Sequence, residues 1–346
     1  MPPKKQTPTL SEVARIAGVS QMTVSRALNN QPGVSPEKRE EILRISDDMG
    51  YVINRVAQKL SGGRTRIIGV IAQLHSLYTS ELVLGVGSAT RAAGYEMLVY
   101  SLGEPDKQPP GSIIELLQQI VDGVIVILPF ETDYLGLLAN ARLPIVTIDQ
   151  GSDLPFPAVT ADNYHGACLA MQHLAELGHK RIGFITGNER LASARERYQA
   201  YRDMTKQLGL ACDDDLIARG DFLQKAGYEA AKGLMALAEP PTAIFAANDV
   251  SAAGAFVALR EAGKRVPDDV SVIGFDDVPL ANQLYPALST IRQPLPQMAR
   301  AAVNILLAMI AGLEAPSQRL SLPTQLVARG STAAAAPSPL RSRPVA

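Results

Sequence analysis

The 346-residue chain contains no tryptophan and only two cysteines, Cys168 and Cys212, which stand 44 positions apart without a C-x-x-C pattern. Such a pair provides neither a disulfide framework nor a zinc site. We therefore expect both cysteines to be small buried side chains, and we expect no metal or other cofactor.

Long apolar runs are also missing, since none approaches the roughly 18 residues that a membrane span requires. With 47% hydrophobic and 19% charged residues, the chain is neither a membrane protein nor wholly disordered. Its basic N-terminus is followed by polar sequence instead of the apolar segment of a signal peptide. These features predict a soluble, cytoplasmic protein.

Enzyme motifs are absent as well. The four histidines show no H-E-x-x-H spacing, and no G-x-S-x-G elbow or Walker loop occurs. Ser35 and Lys38 match S-x-x-K, but Ser-Pro at a helix start is ordinary capping. We expect no catalytic residues and no enzymatic activity.

Charge is divided unevenly along the chain. Residues 1–66 carry 11 Lys and Arg against 6 Asp and Glu, a net charge of +5, whereas the remainder carries 22 against 28, a net charge of −6. A basic head on an acidic body indicates that the head meets a polyanion.

Residues 9–50 predict three short helices. Thr9 and Glu12 form a capping box that begins the first helix at Leu10, Ser20 caps the second helix (21–29), and Ser35-Pro36 begins the third. Because a tight turn separates the first two helices, the pattern is that of a helix-turn-helix.

The second helix has two different faces. Val24, Ala27 and Leu28 fall on the apolar side, whereas the polar side is free to contact a partner. In a helix-turn-helix the candidate base readers are Gln21, Met22 and Arg26, and short polar groups suited to phosphate oxygens are Ser20, Thr23, Ser25 and Asn29. Periodicity alone leaves open the alternative that this face is merely solvated.

From Ile67 onward, apolar runs alternate with amphipathic helical patterns. The runs are 67–72, 95–101, 123–128, 144–149, 181–186, 242–247 and 270–275. This alternation predicts an α/β fold with parallel sheets covered by helices on both faces. The length of the region favours two similar doubly wound lobes with a cleft between them.

The segments TLSEVARIAGVSQMTVSRALN (9–29), VSPEKREEI and GYVINRVAQKL (50–60) resemble the DNA-binding head and hinge of the lactose-repressor (LacI) family of bacterial transcription regulators. The resemblance implies that Gln21, Met22 and Arg26 read the operator. It also implies phosphate contacts by Thr9 and Asn54, and entry of Ala57 and Leu60 into the minor groove, with Leu60 as an apolar wedge.

The body resembles the effector domain of the same family, which is related to periplasmic sugar-binding proteins. The matching segments are LGHKRIGFITG (177–187), SARERYQAY (193–201), AAND (246–249), GFDD (274–277) and LSTIRQP (288–294). The resemblance implies effector contacts by Arg197, Asn248 and Asp276, with Asp149 and Ser193 beside them. Tyr78 and Phe222 are the candidates for an aromatic face that covers a sugar ring.

Two of these residues have structural alternatives, and one segment departs from the family pattern. Ser193 and Glu196 could form a capping box, and Asn248 could cap the helix that begins near Asp249. The segment QLHSLYTSEL (73–82) replaces the family's usual aromatic pair with Tyr78 and Thr79, which puts the pocket depth in question. Arg190 and Arg195 nearby would suit a sugar acid or sugar phosphate.

These features predict a homodimeric transcription regulator, most simply a repressor of carbohydrate catabolic genes, that binds a pseudo-palindromic operator and a sugar-like effector. The alternatives are a transport-type sugar-binding protein, an α/β enzyme with a regulatory head, and a regulator whose ligand tightens DNA binding.

The predicted domains are a head (1–53), a hinge (54–66), a two-lobed body (67–332, crossovers near 161, 291 and 323) and a disordered tail (333–346). That tail has no leucine heptads, so we expect no tetramer built on a C-terminal coiled coil.

Overall fold

In a computed structural model, the residues described are 8–52, 63–74, 76–101, 110–128, 136, 138, 140–141, 143–150, 155–314 and 319–336. The chain forms two compact units, a head (Met1–Thr65) and a body (Arg66–Ala346). No helix within the described residues combines the length and apolar character needed to cross a membrane.

The described residues of the head form three helices, α1 (Leu10–Ala17), α2 (Gln21–Leu28) and α3 (Pro36–Met49). The predicted capping box is present, because the Glu12 amide donates to Thr9 Oγ1 at 3.3 Å and the Thr9 amide donates to Glu12 Oε2 at 2.7 Å. Gly18 ends α1 with a φ of +64°, a left-handed conformation that favours glycine. The core joins all three helices through the fully buried Val13, Val24 and Ile42.

The first lobe of the body is a six-stranded parallel sheet in the order β11-β5-β4-β3-β1-β2. Its strands are β1 (Ile67–Ala72), β2 (Glu96–Ser101), β3 (Gly123–Ile127), β4 (Ile145–Ile148), β5 (Ala158–Ala161) and β11 (Leu320–Leu322). One face packs on α4 (Leu77–Ala92) and α11 (Leu295–Ile310), and the other packs on α5 (Pro110–Ile120). The strands β1 and β3, which are almost entirely buried, are apolar, which is why the sequence shows them as continuous runs.

The second lobe repeats this design in the order β12-β10-β9-β8-β6-β7, with only β12 antiparallel. Its strands are β6 (Ile182–Ile185), β7 (Ile217–Ala218), β8 (Ala243–Ala246), β9 (Ser271–Asp276), β10 (Ser289–Arg292) and β12 (Gln325–Val327). The helices α6 (Asn163–Glu176) and α7 (Ala192–Gln207) cover one face, while α8 (Gln224–Met235) and α9 (Asp249–Glu261) cover the other. A short helix, α10 (Leu280–Gln283), lies between β9 and β10.

The chain passes from one lobe to the other after β5, after β10 and after β11. Helix α11 therefore belongs to the first lobe although it directly follows a strand of the second. Because the lobes are joined by short segments, they can move relative to each other by changes in a few backbone angles.

Two expectations from the sequence need correction. Residues 333–335, which the sequence analysis assigned to a disordered tail, are held to the second lobe, since the Ala333 amide donates to Ser271 Oγ at 3.0 Å and the Ala335 amide donates to the Leu177 carbonyl at 2.8 Å. Cys212 is exposed and Cys168 half-buried, so neither is a buried filler. The apolar runs do not mark five strands: β7, β11 and β12 have only two or three residues, and β5 and β10 include polar residues.

Candidate functional site

The outward face of α2 is accessible in the head. Val24 and Ala27 are buried against α1 and α3, whereas Gln21, Met22 and Arg26 are exposed, with Met22 65% exposed. An exposed methionine on a short polar helix has no packing role of its own. The three residues predicted to read bases are thus all available to a partner.

The short polar residues of the head are already hydrogen bonded within it. Thr9 Oγ1 donates to Glu12, Ser20 Oγ caps α2 by accepting from the Thr23 amide at 3.1 Å, and Asn29 Nδ2 donates to the Ser25 carbonyl at 2.8 Å. These bonds hold the ends of α1 and α2 in place. They also mean that phosphate contacts by these residues would add to a structural role.

The C-terminal end of α2 is held by a residue that the sequence did not single out. The Arg39 guanidinium, carried by α3, donates to the carbonyls of Arg26 at 3.3 Å, Ala27 at 3.0 Å and Gln31 at 2.6 Å. These include carbonyl groups that a helix leaves without an internal partner. Arg39 therefore fixes the end of the helix that carries Arg26.

Asn54, Ala57 and Leu60, the residues predicted to form the hinge contacts, lie outside the described residues. Their roles stay predictions of the sequence.

The body contains a cavity of about 60 Å³ between its two lobes. The first lobe contributes Ser76, Tyr78, Leu128 and Asp149, and the second contributes Leu191, Ser193, Arg197, Phe222, Asn248 and Asp276. All seven residues that the sequence analysis assigns to effector binding are in this set. Ser76, Leu128 and Leu191 were missed.

Four of the lining residues have a left-handed backbone although none is glycine. The φ values are +51° at Leu128, +60° at Asp149, +74° at Phe222 and +113° at Asp276. Such conformations cost about 1 to 3 kcal/mol each and cluster at ligand-binding sites. Leu128, Asp149 and Asp276 stand where a parallel strand ends, which is the usual ligand crevice of such sheets.

Arg197 is the central cation of the cavity and is almost fully buried. Its Nε and Nη2 donate to Asn163 Oδ1 at 3.1 and 2.8 Å, and its Nη1 donates to the Ala247 carbonyl at 2.6 Å. The guanidinium also lies over the Phe275 ring, with Cζ 3.7 Å from the centroid. A guanidinium has five N–H donors, so these three bonds leave two for Asp276 and a ligand.

Asp276 faces Arg197 at 3.5 Å and accepts a hydrogen bond from Gln293 Nε2 at 2.7 Å. Burial raises the pKa of Asp276 to about 7, although Arg197 and Gln293 act in the opposite direction. The carboxyl is therefore balanced between its neutral and charged forms near neutral pH.

The first lobe presents a second carboxylate, Asp149, which accepts from Thr160 Oγ1 at 3.3 Å and from the Tyr78 hydroxyl at 3.5 Å. Burial raises the pKa of Tyr78 well above its usual value, and Asp149 and Asp276 add to this effect. The phenol thus stays neutral and can donate. The two lobes therefore bring together groups that can donate hydrogen bonds to the hydroxyls of a ligand and groups that can accept hydrogen bonds from them.

Phe222 and Asn248 are fixed by local packing. A Cβ atom at Gly187 would lie 2.1 Å from the Phe222 ring, so only glycine fits against it. Asn248 does cap α9, since its Oδ1 accepts from the Ser251 amide at 2.9 Å, and its Nδ2 donates to the Phe222 carbonyl at 3.1 Å. Asn248 therefore has both roles, since it caps α9 and also lines the cavity.

The capping-box alternative for Ser193 is wrong, because α7 begins at Ala192 and places Ser193 inside the helix, buried at the cavity.

In the segment that departs from the family pattern, Tyr78 reaches the cavity, whereas Thr79 is buried with its hydroxyl unpartnered among the described residues. Within the same residues, no group of three or more His, Cys, Asp or Glu side chains could hold a metal ion.

Comparison with known proteins gives two family matches. Residues 9–54 match the family described as bacterial regulatory proteins, lacI family, and residues 171–332 match the periplasmic binding protein-like domain. The transcriptional regulator DegA of Bacillus subtilis is 33% identical over 330 residues, which cover 94% of this chain and 98% of that protein. The regulator CelR of Thermobifida fusca is 33% identical over 338 residues, covering 95% and 99%.

Solved structures give the same result. A lac repressor dimer bound to operator and the anti-inducer ONPF is 29% identical, with a TM-score of 0.83 and coverage of 95% of this chain and 100% of that one. A CelR–cellobiose complex is 32% identical, with a TM-score of 0.72 and coverage of 94% and 99%. The named relatives are transcriptional regulators.

Proposed function

The chain belongs to the LacI family of bacterial regulatory proteins, and we propose that it is a cytoplasmic transcription repressor whose operator binding is controlled by a sugar-like effector. The observation that carries the proposal is the pairing, in one chain, of an exposed helix-turn-helix face with a body cavity lined by Asp149, Arg197 and Asp276.

Operator reading is assigned to α2. Arg26 can donate two hydrogen bonds to a guanine, Gln21 can pair with an adenine, and Met22 can contact a thymine methyl group. The basic head supplies attraction to phosphates, so binding will weaken steeply with salt. Asn54, Ala57 and Leu60 would add the hinge contacts that the family resemblance implies.

A homodimer is proposed on the same grounds, because a two-fold protein matches a pseudo-palindromic site. Exposed apolar side chains on the body support it. Leu77 and Leu84 stand seven positions apart on α4 and are 44% and 68% exposed, and Tyr285 is 97% exposed. Large side chains of this kind are typical of surfaces that are covered in an assembly.

The effector is proposed to be a sugar, sugar acid or sugar phosphate. Two carboxylates can accept from adjacent hydroxyl groups, Arg197 and Asn248 can donate, and Tyr78 and Phe222 offer aromatic faces. The CelR relative was solved with cellobiose, which fits this class. A volume of about 60 Å³ is far below the range of about 300 to 1,000 Å³ for ligand pockets, so the lobes must separate to admit a sugar ring.

Control of DNA binding would follow from this movement. A ligand that favours one lobe arrangement shifts the population toward it, and a coupling of about 1 to 3 kcal/mol changes operator affinity about 5 to 150-fold. The sign of that coupling decides whether the ligand weakens or strengthens binding to the operator. We propose release, the mode expected of an inducible repressor.

Fluorescence anisotropy with a DNA fragment from upstream of the chain's own gene tests the proposal, at fixed salt and with a panel of sugars, sugar acids and sugar phosphates. We expect saturable binding that one compound weakens. Asp276→Ala should keep the operator affinity and lose the ligand response, whereas Leu60→Ala should weaken operator binding and keep ligand binding. Absence of specific DNA binding, or product formation from a bound sugar, would contradict the proposal.

A further inference from the structure

A second and larger cavity, of about 560 Å³, lies on the second lobe. It is formed by the loop after β6, one side of α7, and β7 with the residues that follow it. None of its lining residues is shared with the cavity between the lobes. Its volume is within the range of small-molecule sites, and it opens at the carboxyl ends of two parallel strands, where such ligands bind.

Three arginines, Arg190, Arg195 and Arg219, line this groove, together with the ring of Tyr198. The only acidic side chains in its lining are Glu189 and Asp221. Three guanidinium groups therefore face two carboxylates, and one of these, Asp221, also accepts from the Leu223 amide at 2.8 Å. This is unusual on a body whose residues after position 66 carry a net charge of −6.

The arginines are arranged so that donors stay available. Arg195 Nη1 donates to the carbonyls of Glu189 at 2.9 Å and Arg190 at 3.0 Å, which fixes the guanidinium and leaves its other N–H groups free for a ligand. The Arg190 guanidinium has no ion pair within the described part of the chain. The sequence analysis placed these two arginines beside the effector pocket, but they line this groove and not the cavity between the lobes.

Arg219 pairs with Glu189 at 3.0 Å, but the two side chains are 86% and 78% exposed. Exposed ion pairs contribute little to stability, so an incoming anion can displace Glu189 easily. A phosphate group suits the exchange better than a carboxylate, because its three oxygens can accept paired N–H bonds from more than one guanidinium.

We propose that this groove binds a phosphorylated small molecule, with its phosphate held by Arg190, Arg195 and Arg219 and its remaining part against Tyr198. Tyr198 is 37% exposed, and its ring lies near that of Phe184, with centroids 6.3 Å apart, so it offers a fixed flat surface. The site is distinct from the effector cavity of the proposed function.

The two sites share a thin wall. Gly187 lines the groove, and the Phe222 ring that packs against it lines the effector cavity. A ligand that shifts the loop at Gly187 therefore moves a wall of the other site. Such coupling acts equally in both directions.

Isothermal titration calorimetry of the full chain tests the groove without any operator. The probes are inorganic phosphate, ribose 5-phosphate and glucose 6-phosphate, with ribose and glucose as uncharged controls, all at constant ionic strength. We expect a phosphate ester to bind while its parent sugar binds at least about tenfold more weakly at this site. No binding of phosphate or either ester up to about 10 mM would overturn the proposal.

Variants locate the binding. The double variant Arg190→Gln/Arg219→Gln should weaken binding of the ester about tenfold or more. Arg300→Gln, which removes an exposed arginine from the first lobe, should leave it unchanged. Asp276→Asn should also leave binding of the ester unchanged. If Asp276→Asn loses binding while the double variant keeps it, the ester binds in the effector cavity and the proposal is overturned.

Discussion

Asp276 shows how a single residue in the effector cavity links charge to stability. Its folded pKa of about 7 stands above the ordinary value of 3.8, mainly because it is buried. Between these pH values the native state keeps a proton that the unfolded chain releases. The free energy of unfolding therefore falls as pH rises through this window.

We expect Asp276→Asn to reduce the fall in unfolding free energy between about pH 4 and 7, because the amide cannot titrate. Some slope will stay, since burial also raises the pKa of Asp249, which lies close to Asp276. Urea unfolding at a series of pH values measures the slope. Asp268→Asn, which alters an exposed carboxyl, should behave as the parent chain. If Asp276→Asn shows the same slope as the parent chain, Asp276 is not the group responsible.

Helix α2 illustrates what a short element needs from its neighbours. Eight residues form too few hydrogen bonds to be helical alone. Its beginning is fixed by its own Ser20, which the sequence reveals, but its end is fixed by Arg39 on another helix. That contact spans 8 to 13 positions and has no local signature.

Arg39→Met should weaken operator binding about tenfold, because the last turn of α2 that carries Arg26 loses its anchor. Arg44→Met is the matched control, since it removes the same charge from an exposed site on α3. Anisotropy titrations of both variants at one salt concentration separate the two effects. Equal losses would show that charge alone is responsible.

Helix α4 carries the exposed leucines that support the proposed dimer. Replacing Leu84, which is 68% exposed, by Glu places a charge where the partner would bury an apolar side chain. We expect Leu84→Glu to shift the chain toward monomer and to weaken operator binding. Leu313→Glu changes a leucine of similar exposure, 64%, and should stay dimeric. Light scattering distinguishes them, and a stable Leu84→Glu dimer would remove α4 from the interface.

At the scale of the whole molecule, the sequence predicts the long elements and the members of the cavity, but not the contacts that hold them. The seven long apolar runs are all strands; six of them are almost entirely buried, which leaves a continuous apolar pattern, whereas the edge strand β2 is only partly buried. The cavity residues were identified through family motifs at strand ends. Asn163 and Gln293, which orient Arg197 and Asp276, stand 34 and 17 positions from them and depend on the tertiary fold.

One such long-range contact joins the two lobes. Arg319, just before β11 of the first lobe, donates from Nη1 to Glu196 Oε1 on α7 of the second lobe at 3.3 Å, and from Nη2 to Thr160 Oγ1 at 3.2 Å. Thr160 in turn donates to Asp149 in the cavity. The Glu196–Arg319 pair therefore stabilises the arrangement in which the cavity is too small for a sugar.

Removing this pair should make the open arrangement more populated. The two side chains are about one third exposed, so the pair contributes up to about 1 kcal/mol, which corresponds to about a fivefold change in population. We expect Arg319→Met to raise the association rate of the effector by up to about that factor, because entry requires the lobes to separate. Stopped-flow binding of the effector measures the rate, with Arg300→Met as a control on the first lobe. An unchanged or slower rate would show that the pair does not hold the lobes together.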